Sequence, residues 1–119
     1  MLGRSRPISW LKSARKEFEA FPAGARERTL QALDIAAAGS MAGIAKPLKG
    51  FGSGVFEVAL KFRTDAFRVV YAVQIGDAVW VVHAFQKKST SGIKTSQADL
   101  DLIRQRIKLL MEQVSDGQR

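Results

Sequence analysis

From Val55 to Lys87 apolar and other side chains alternate with a period of two, broken twice by short turn sequences. Only β-strands with one buried face satisfy such a pattern. In 55–63 Phe56, Val58, Leu60 and Phe62 alternate with Glu57, Ala59, Lys61 and Arg63, and in 67–75 Phe67, Val69, Tyr71 and Val73 alternate with Arg68, Val70, Ala72 and Gln74. A turn at Thr64-Asp65 that pairs Arg63 with Ala66 sets Phe62 against Phe67, Leu60 against Val69, Val58 against Tyr71 and Phe56 against Val73. Every pair on that face is then apolar, whereas a slip of one residue mixes the faces. The next turn, Gly76-Asp77, is of the type that closes two-residue hairpins. Pairing Ile75 with Ala78 sets Val73 against Trp80, Tyr71 against Val82 and Val69 against Ala84. The reading is a three-stranded antiparallel meander with Tyr71 and Trp80 on its apolar face.

The flanking segments are helical. Pro7-Ile8-Ser9-Trp10-Leu11 reads as a short strand, with Pro7 restricting it to a start or a sheet edge. After it, Leu11, Ala14, Phe18 and Phe21 fall on one helical face with Ser13 as N-cap. Pro22 opens a second helix to about Ala38 that buries Leu30, Leu33 and Ala37 and stops at Gly39. Trp10 reads as core. Residues 39–54 hold five glycines, Pro47, Lys46 and Lys49 and read as a loop; Gly50, Gly52 and Gly54 lack the context of a phosphate-binding or dinucleotide motif. Leu100, Ile103, Ile107, Leu110 and Val114 form the stripe of a C-terminal helix opened by Ser96 and Asp99, with Asp101, Arg104 and Lys108 opposite. The fold class is α+β: a strand and helical hairpin (about 12–38) packed on the meander (about 55–87), then a helix (about 97–114), all in one domain spanning 1–119.

Composition limits the chemistry. Cysteine is absent and histidine occurs once, which excludes thiolate nucleophiles, disulfide frameworks and His-rich metal centres, so no cofactor or metal is expected. No apolar run reaches the roughly 18–20 residues of a membrane span, and no signal-peptide core follows the N-terminus, so a soluble cytoplasmic protein without a membrane partner is expected. The formal charge is +8, and residues 45–94 hold 8 basic and 3 acidic side chains against 4 and 4 in 95–119. An anionic partner is therefore sought at the meander.

The register that builds the apolar face also defines the other one. It places Lys61 opposite Arg68, Arg68 opposite Phe85 and Val70 opposite His83, with Arg63, Lys87 and Lys88 alongside and Lys46 and Lys49 arriving from the glycine loop. Facing cations are destabilising unless an anion lies between them. A cationic face holding one aromatic suits single-stranded RNA, with phosphates neutralised and a base stacked. Each cation alone equally suits a solvated sheet face. Glu57 lies on this face with no second carboxylate to form an acid–base pair, and His83 reads either as a half-buried polar residue or as an acid–base group.

Lys46-Pro47-Leu48-Lys49-Gly50, Val55-Phe56-Glu57-Val58, Phe67-Arg68-Val69-Val70-Tyr71 and His83-Ala84-Phe85-Gln86-Lys87-Lys88-Ser89, together with the order of elements, resemble the RelE/HigB toxins of bacterial toxin–antitoxin systems, in particular the phage-related HigB-like branch. The resemblance implies a RelE-like fold and a cytoplasmic toxin that cleaves mRNA in the ribosomal A site without a metal. The 2′-hydroxyl attacks the adjacent phosphate, and a cognate antitoxin, often a helix-turn-helix DNA-binding protein, silences the toxin. By position, Arg68 matches the arginine of the family's Tyr-Arg-x-x-Tyr strand and Lys88 a basic residue after the last strand. The family's lysines in the first meander strand correspond here to Glu57 and Ala59, and its C-terminal tyrosine has no counterpart near Lys94.

The candidate catalytic residues are therefore Arg68, Lys88, Lys61 and His83, and the candidate RNA-binding residues Lys46, Lys49, Arg63, Phe85, Lys87 and Lys94. The general base stays open among Lys61, Arg63 and His83. Two further readings stand beside the mRNA endoribonuclease: a ParE-like toxin that inhibits DNA gyrase and cleaves nothing, and a phage-derived binding module without toxicity.

Overall fold

In the computed structural model, which describes residues 5–87 and 94–117, both faces of the meander are buried. The elements run β1 (Ile8–Trp10), α1 (Lys12–Glu19), α2 (Ala23–Ala37), β2 (Ala45–Pro47), β3 (Val55–Phe62), β4 (Asp65–Ile75), β5 (Ala78–Lys87) and α3 (Gln97–Gly117). The sheet order is β1-β5-β4-β3-β2, with β1 parallel to β5 and the other pairs antiparallel. This is the expected α+β architecture with a mixed five-stranded sheet.

Two layers of helix enclose that sheet. Ala14, Phe18 and Phe21 of the first hairpin arm and Ala25, Leu33 and Ala37 of the second pack with Val58, Leu60, Phe67, Val69, Tyr71 and Val81 on one face. Trp10, Phe18, Phe21 and Phe67 form a chain of tilted ring contacts through that core, with centroids 4.7–5.6 Å apart. On the other face Ile103 and Leu110 of α3 pack with Val55, Val70, Ala72, Ile75 and Val82, and Leu48 joins them from the glycine loop. Burying both faces explains why Val70, Ala72 and Val82 are apolar as well.

Several expectations need correction. The β3–β4 turn is Arg63-Thr64, so Leu60 faces Phe67, Val58 faces Val69, Phe56 faces Tyr71 and Lys61 faces Ala66. This register differs from the expected one by two residues. A two-residue shift keeps every side chain on its face, so alternation cannot see it. Its cost is a left-handed arginine, Arg63 at φ 61°, worth about 1–2 kcal/mol and offset by the apolar pairs it aligns. Between β4 and β5 the expected partners Ile75–Ala78, Val69–Ala84, Val70–His83 and Arg68–Phe85 are present, but irregularities set Tyr71 against Val81 and Ala72 against Trp80. Val82 and Trp80 therefore pack beneath α3 and not with Tyr71. Tyr71 is buried as expected and stacks on Phe56 at 5.4 Å. Trp10 is partly buried against the first core.

The glycine-rich loop contains a strand, β2, whose three residues Ala-Lys-Pro carry too little pattern to announce it. Ser13 lies inside α1, which is entered from an extended Leu11 without a side-chain cap. Leu30 is 42% exposed, because the buried stripe of α2 runs through Thr29, Leu33 and Ala36. At the start of α3 the capping box forms as expected: Ser96 Oγ accepts from Asp99 N–H at 3.1 Å and donates to Asp99 Oδ2 at 2.7 Å.

Candidate nucleic-acid interface

The pleat and the observed register lay out the site as rows across β3, β4 and β5. Glu57, Val70 and His83 form one row, with Lys46 of β2 beside Glu57; Ala59, Arg68 and Phe85 form the next; Lys61, Ala66 and Lys87 the last. Neighbouring strands lie about 4.8 Å apart, so Lys61 and Lys87 flank Ala66 at a backbone separation of about 10 Å. Lys46, Lys61, Arg63 and Lys94 are exposed, and Phe85 and Lys87 are half-buried; Arg63, expected beside Lys61, instead turns its guanidinium over the Phe62 ring near Pro22, Ala23 and Gly24, because its left-handed turn conformation takes it out of the strand alternation. The Lys87 ammonium donates to the Lys94 carbonyl, tying the two ends of the β5–α3 connection together. Lys49 is exposed in the loop beyond β2, outside these rows. Lys88 lies outside the described residues.

The floor of this face is not purely cationic. Arg68 Nη1 donates to Glu57 Oε1 at 3.0 Å, with side chains 9% and 2% exposed, and the Thr95 hydroxyl donates to Glu57 Oε2. The anion expected between facing cations is thus supplied by the protein, on the diagonal between β3 and β4. This departs from the expected opposition of Lys61 and Arg68: a guanidinium at this depth needs a carboxylate, and the two-residue register shift brings Glu57 within its reach.

His83 belongs to a second cluster at the free edge of β5. Beyond Trp10 the parallel strand β1 ends, leaving Val82 and Ala84 with backbone groups that β1 does not meet. Glu17 of α1 accepts from Ala84 N–H at 3.2 Å, and Arg106 of α3 donates to the Val82 carbonyl at 3.0 Å. The two side chains also form a bidentate pair, Nη1 to Oε1 at 3.0 Å and Nη2 to Oε2 at 2.9 Å. That pair joins the helices on opposite faces of the sheet around its edge. The His83 ring, 3% exposed, sits inside the clamp. Its Nδ1 is 3.0 Å from Arg106 Nη1 and its Nε2 2.8 Å from Asp99 Oδ1, while the ring stacks on Phe85 with centroids 4.9 Å apart and planes at 29°. Burial raises the pKa of Glu17, but the Arg106 hydrogen bond, the Ala84 N–H and the charges of Arg106 and His83 outweigh it and hold the carboxyl below its ordinary value.

Glu17 and Arg106 did carry a sequence signal. Ala14, Glu17, Phe18 and Phe21 share one helical face, as do Ile103, Arg106, Ile107 and Leu110, so each charge interrupts a buried stripe. A charge in such a position requires a partner, although the partner's identity, 89 residues away, cannot be read from either stripe. Among the described residues no cluster of three or more His, Asp or Glu could hold a metal ion, and no helix is long and apolar enough to cross a membrane.

With the fold and the site described, comparison with known proteins places the chain. Residues 16–108 match the family of phage derived protein Gp49-like sequences. The chain belongs to that family. No curated protein matches the sequence of this Gp49-like chain. Among solved structures it is similar to a double arginine-to-alanine variant of the E. coli toxin RelE in the free state, with TM-score 0.56 and 18% identity over 87% of this chain and 96% of that one. The isolated E. coli RelE toxin gives TM-score 0.55 and 16% identity over 85% and 98%. The toxin–antitoxin complex RelBE2 from Mycobacterium tuberculosis gives TM-score 0.50 and 14% identity over 72% and 95%. The Gp49-like chain therefore has a RelE-like toxin fold, and the expected resemblance to the phage-related RelE/HigB group is borne out.

Proposed function

We propose that this Gp49-like chain is the toxin of a bacterial toxin–antitoxin pair and acts as a ribosome-dependent, metal-independent mRNA endoribonuclease held silent by a cognate antitoxin. The observation that carries the reading is the crescent of Lys46, Lys61 and Lys87, with Lys94 tied to Lys87, on the sheet face that holds the half-buried Phe85 of a RelE-like fold. In this reading Lys61 and Lys87 neutralise successive phosphates of a single strand, Phe85 stacks on a base, and Arg68, oriented by Glu57, meets the charge that develops when the 2′-hydroxyl attacks the adjacent phosphate. Lys88, following Lys87 in sequence, adds a further cation. His83 is removed from proton transfer to substrate, since both ring nitrogens are engaged within the protein. An antitoxin partner accords with the RelE-like fold, because one of the similar structures is a toxin–antitoxin complex.

Inducing the chain in a bacterial host and mapping transcript ends by primer extension tests the reading. Cleaved messages with intact DNA are expected, and the Lys61→Ala/Lys87→Ala variant should stay folded and lose growth arrest. A folded variant that remains fully toxic refutes the assignment. DNA damage with intact transcripts would instead indicate a gyrase inhibitor, and growth without arrest a non-toxic binding module.

A further inference from the structure

The His83 cluster lies beside the cation crescent, and its hydrogen bonds define which nitrogen holds the ring proton. Arg106 Nη1 lies 3.0 Å from His83 Nδ1, but its two protons already have Glu17 Oε1 and the Val82 carbonyl as acceptors at 3.0 Å, so the ring proton is read from the other nitrogen. Nε2 lies 2.8 Å from Asp99 Oδ1, a carboxylate oxygen that only accepts, so Nε2 carries a proton and donates it. Glu17 Oε1, 3.4 Å from Nδ1, accepts from Arg106 and the Ala84 N–H. Asp99 is itself fixed, since Ser96 donates to its other oxygen and accepts from its backbone N–H. The ring is thus held at both ends by groups anchored on α3. On the same strand face, two residues along, Phe85 stacks on this ring at 4.9 Å.

We infer that His83 is a positioning residue for Phe85: held by donation from its Nε2–H to Asp99 and packed against Arg106, it keeps the Phe85 ring at the angle at which an RNA base stacks on it, and it exchanges no proton with the substrate. The inference rests on the reading of this face as an RNA site. An aromatic platform free to rotate loses the entropy of its own ordering on each binding event, whereas a platform held by a buried ring is pre-organised. Asp99 and Arg106 act on RNA binding only through His83.

Two measurements separate this inference from the reading on which it rests. The first uses no RNA: long-range ¹H–¹⁵N correlation on the ¹⁵N-labelled full chain at neutral pH should show His83 Nε2 protonated. An unprotonated Nε2 overturns the hold whatever the activity. The second is a double-mutant cycle on the Kd for a fluorescently labelled single-stranded RNA oligonucleotide. Phe85→Ala should weaken binding about tenfold or more. His83→Gln should weaken it about threefold in the native background and add nothing in the Phe85→Ala background. Equal effects of His83→Gln in both backgrounds overturn the coupling.

If His83→Gln fails to fold, Asp99 replaces it in the cycle. Asp99→Asn still offers Oδ1 to His83 Nε2–H and an amide donor to Ser96 Oγ, so it should retain wild-type affinity. Asp99→Ala should lose about threefold, again only with Phe85 present. In single-turnover cleavage on programmed ribosomes, variants at either position should keep the maximal rate within about twofold once RNA saturates. A hundredfold loss of that rate with Kd unchanged would make His83 a proton-transfer group and refute the inference. A wild-type chain that binds no RNA overturns the interface reading, and with it this role, while the Nε2 protonation measurement still stands by itself.

Discussion

Substituting Arg68 with alanine is the obvious way to disable the proposed RNA site, and the structure predicts that it also damages the fold. Glu57, 2% exposed, donates no charge to solvent; its carboxylate faces Arg68 at 3.0 Å and the Thr95 hydroxyl. Removing the guanidinium leaves a buried anion without that cation, a change that costs about 3–5 kcal/mol in comparable pairs. For a 119-residue chain the unfolding entropy near the midpoint is about 250 cal/mol/K, so Arg68→Ala should lower Tm by about 12–20 °C. Adding Glu57→Gln removes the stranded charge and keeps an acceptor for Thr95. The double variant should therefore recover at least half of the loss, although it removes more native groups. Differential scanning calorimetry of wild type, Arg68→Ala, Glu57→Gln and the double variant decides the matter. If Arg68→Ala melts within about 3 °C of wild type, or if the double variant melts below the single one, the buried pair does not hold this floor and the argument fails.

Other consequences are as direct. Because the fold lowers the pKa of Glu17, the carboxylate's stabilisation is complete above its ordinary value near 4.5 and is lost as pH falls through the folded value. Thermal melts between pH 7 and pH 3 should accordingly show a steeper acid loss in wild type than in Glu17→Gln, which should be less stable at pH 7 by about 1–2 kcal/mol, allowing for the partial exposure of the carboxylate. Burial raises the pKa of Tyr71, so the folded state should lose stability as pH climbs above about 10, and Tyr71→Phe should reduce that alkaline loss in the same melts. Arg63 sits at φ 61°, where glycine is unstrained. Arg63→Gly should relieve about 1–2 kcal/mol of strain, partly offset by losing the stack of the guanidinium on Phe62 and by the chain entropy of glycine, and so raise Tm by about 2–4 °C. Replacing both Lys61 and Lys87 with glutamine should flatten the dependence of log K on log salt by about 1.4 for single-stranded RNA, if each lysine neutralises one phosphate; an unchanged slope would remove both from the phosphate path.

The alternation in 55–87 was enough to foresee three strands, the position of the second turn and the pairing of Arg68 with Phe85. The spacing of Leu100, Ile103, Ile107 and Leu110, and Ser96 three residues before Asp99, was enough for α3 and its cap. These are local properties: side-chain period and capping chemistry act within a few residues, so they leave a mark wherever they occur. β2 escaped because three residues, one of them proline, hold no period. Leu30 misled because α2 carries more apolar residues than one face requires.

The candidate site divided differently. Which residues face the cation side followed from parity alone, so Lys61, Arg68, Phe85, Lys87 and His83 were all placed on the correct face of the sheet. What each of them touches did not follow. A register shift of two residues conserves parity, so the sequence is silent between Lys61 and Ala59 as the residue opposite Arg68. A single bulged residue in β5 moves Trp80 and Val82 to the other face without altering composition.

Sequence alone therefore determined the strand-and-helix order apart from β2, the faces outside the β5 bulge and the concentration of positive charge in 45–94, because each arises from neighbours along the chain. Only the tertiary structure decided that Arg68 is paired with Glu57 and that His83 is held between Arg106 and Asp99. Those outcomes depend on which charges are taken out of water together, and a buried charge draws its partner from whatever the fold brings within about 3 Å, at whatever separation in sequence.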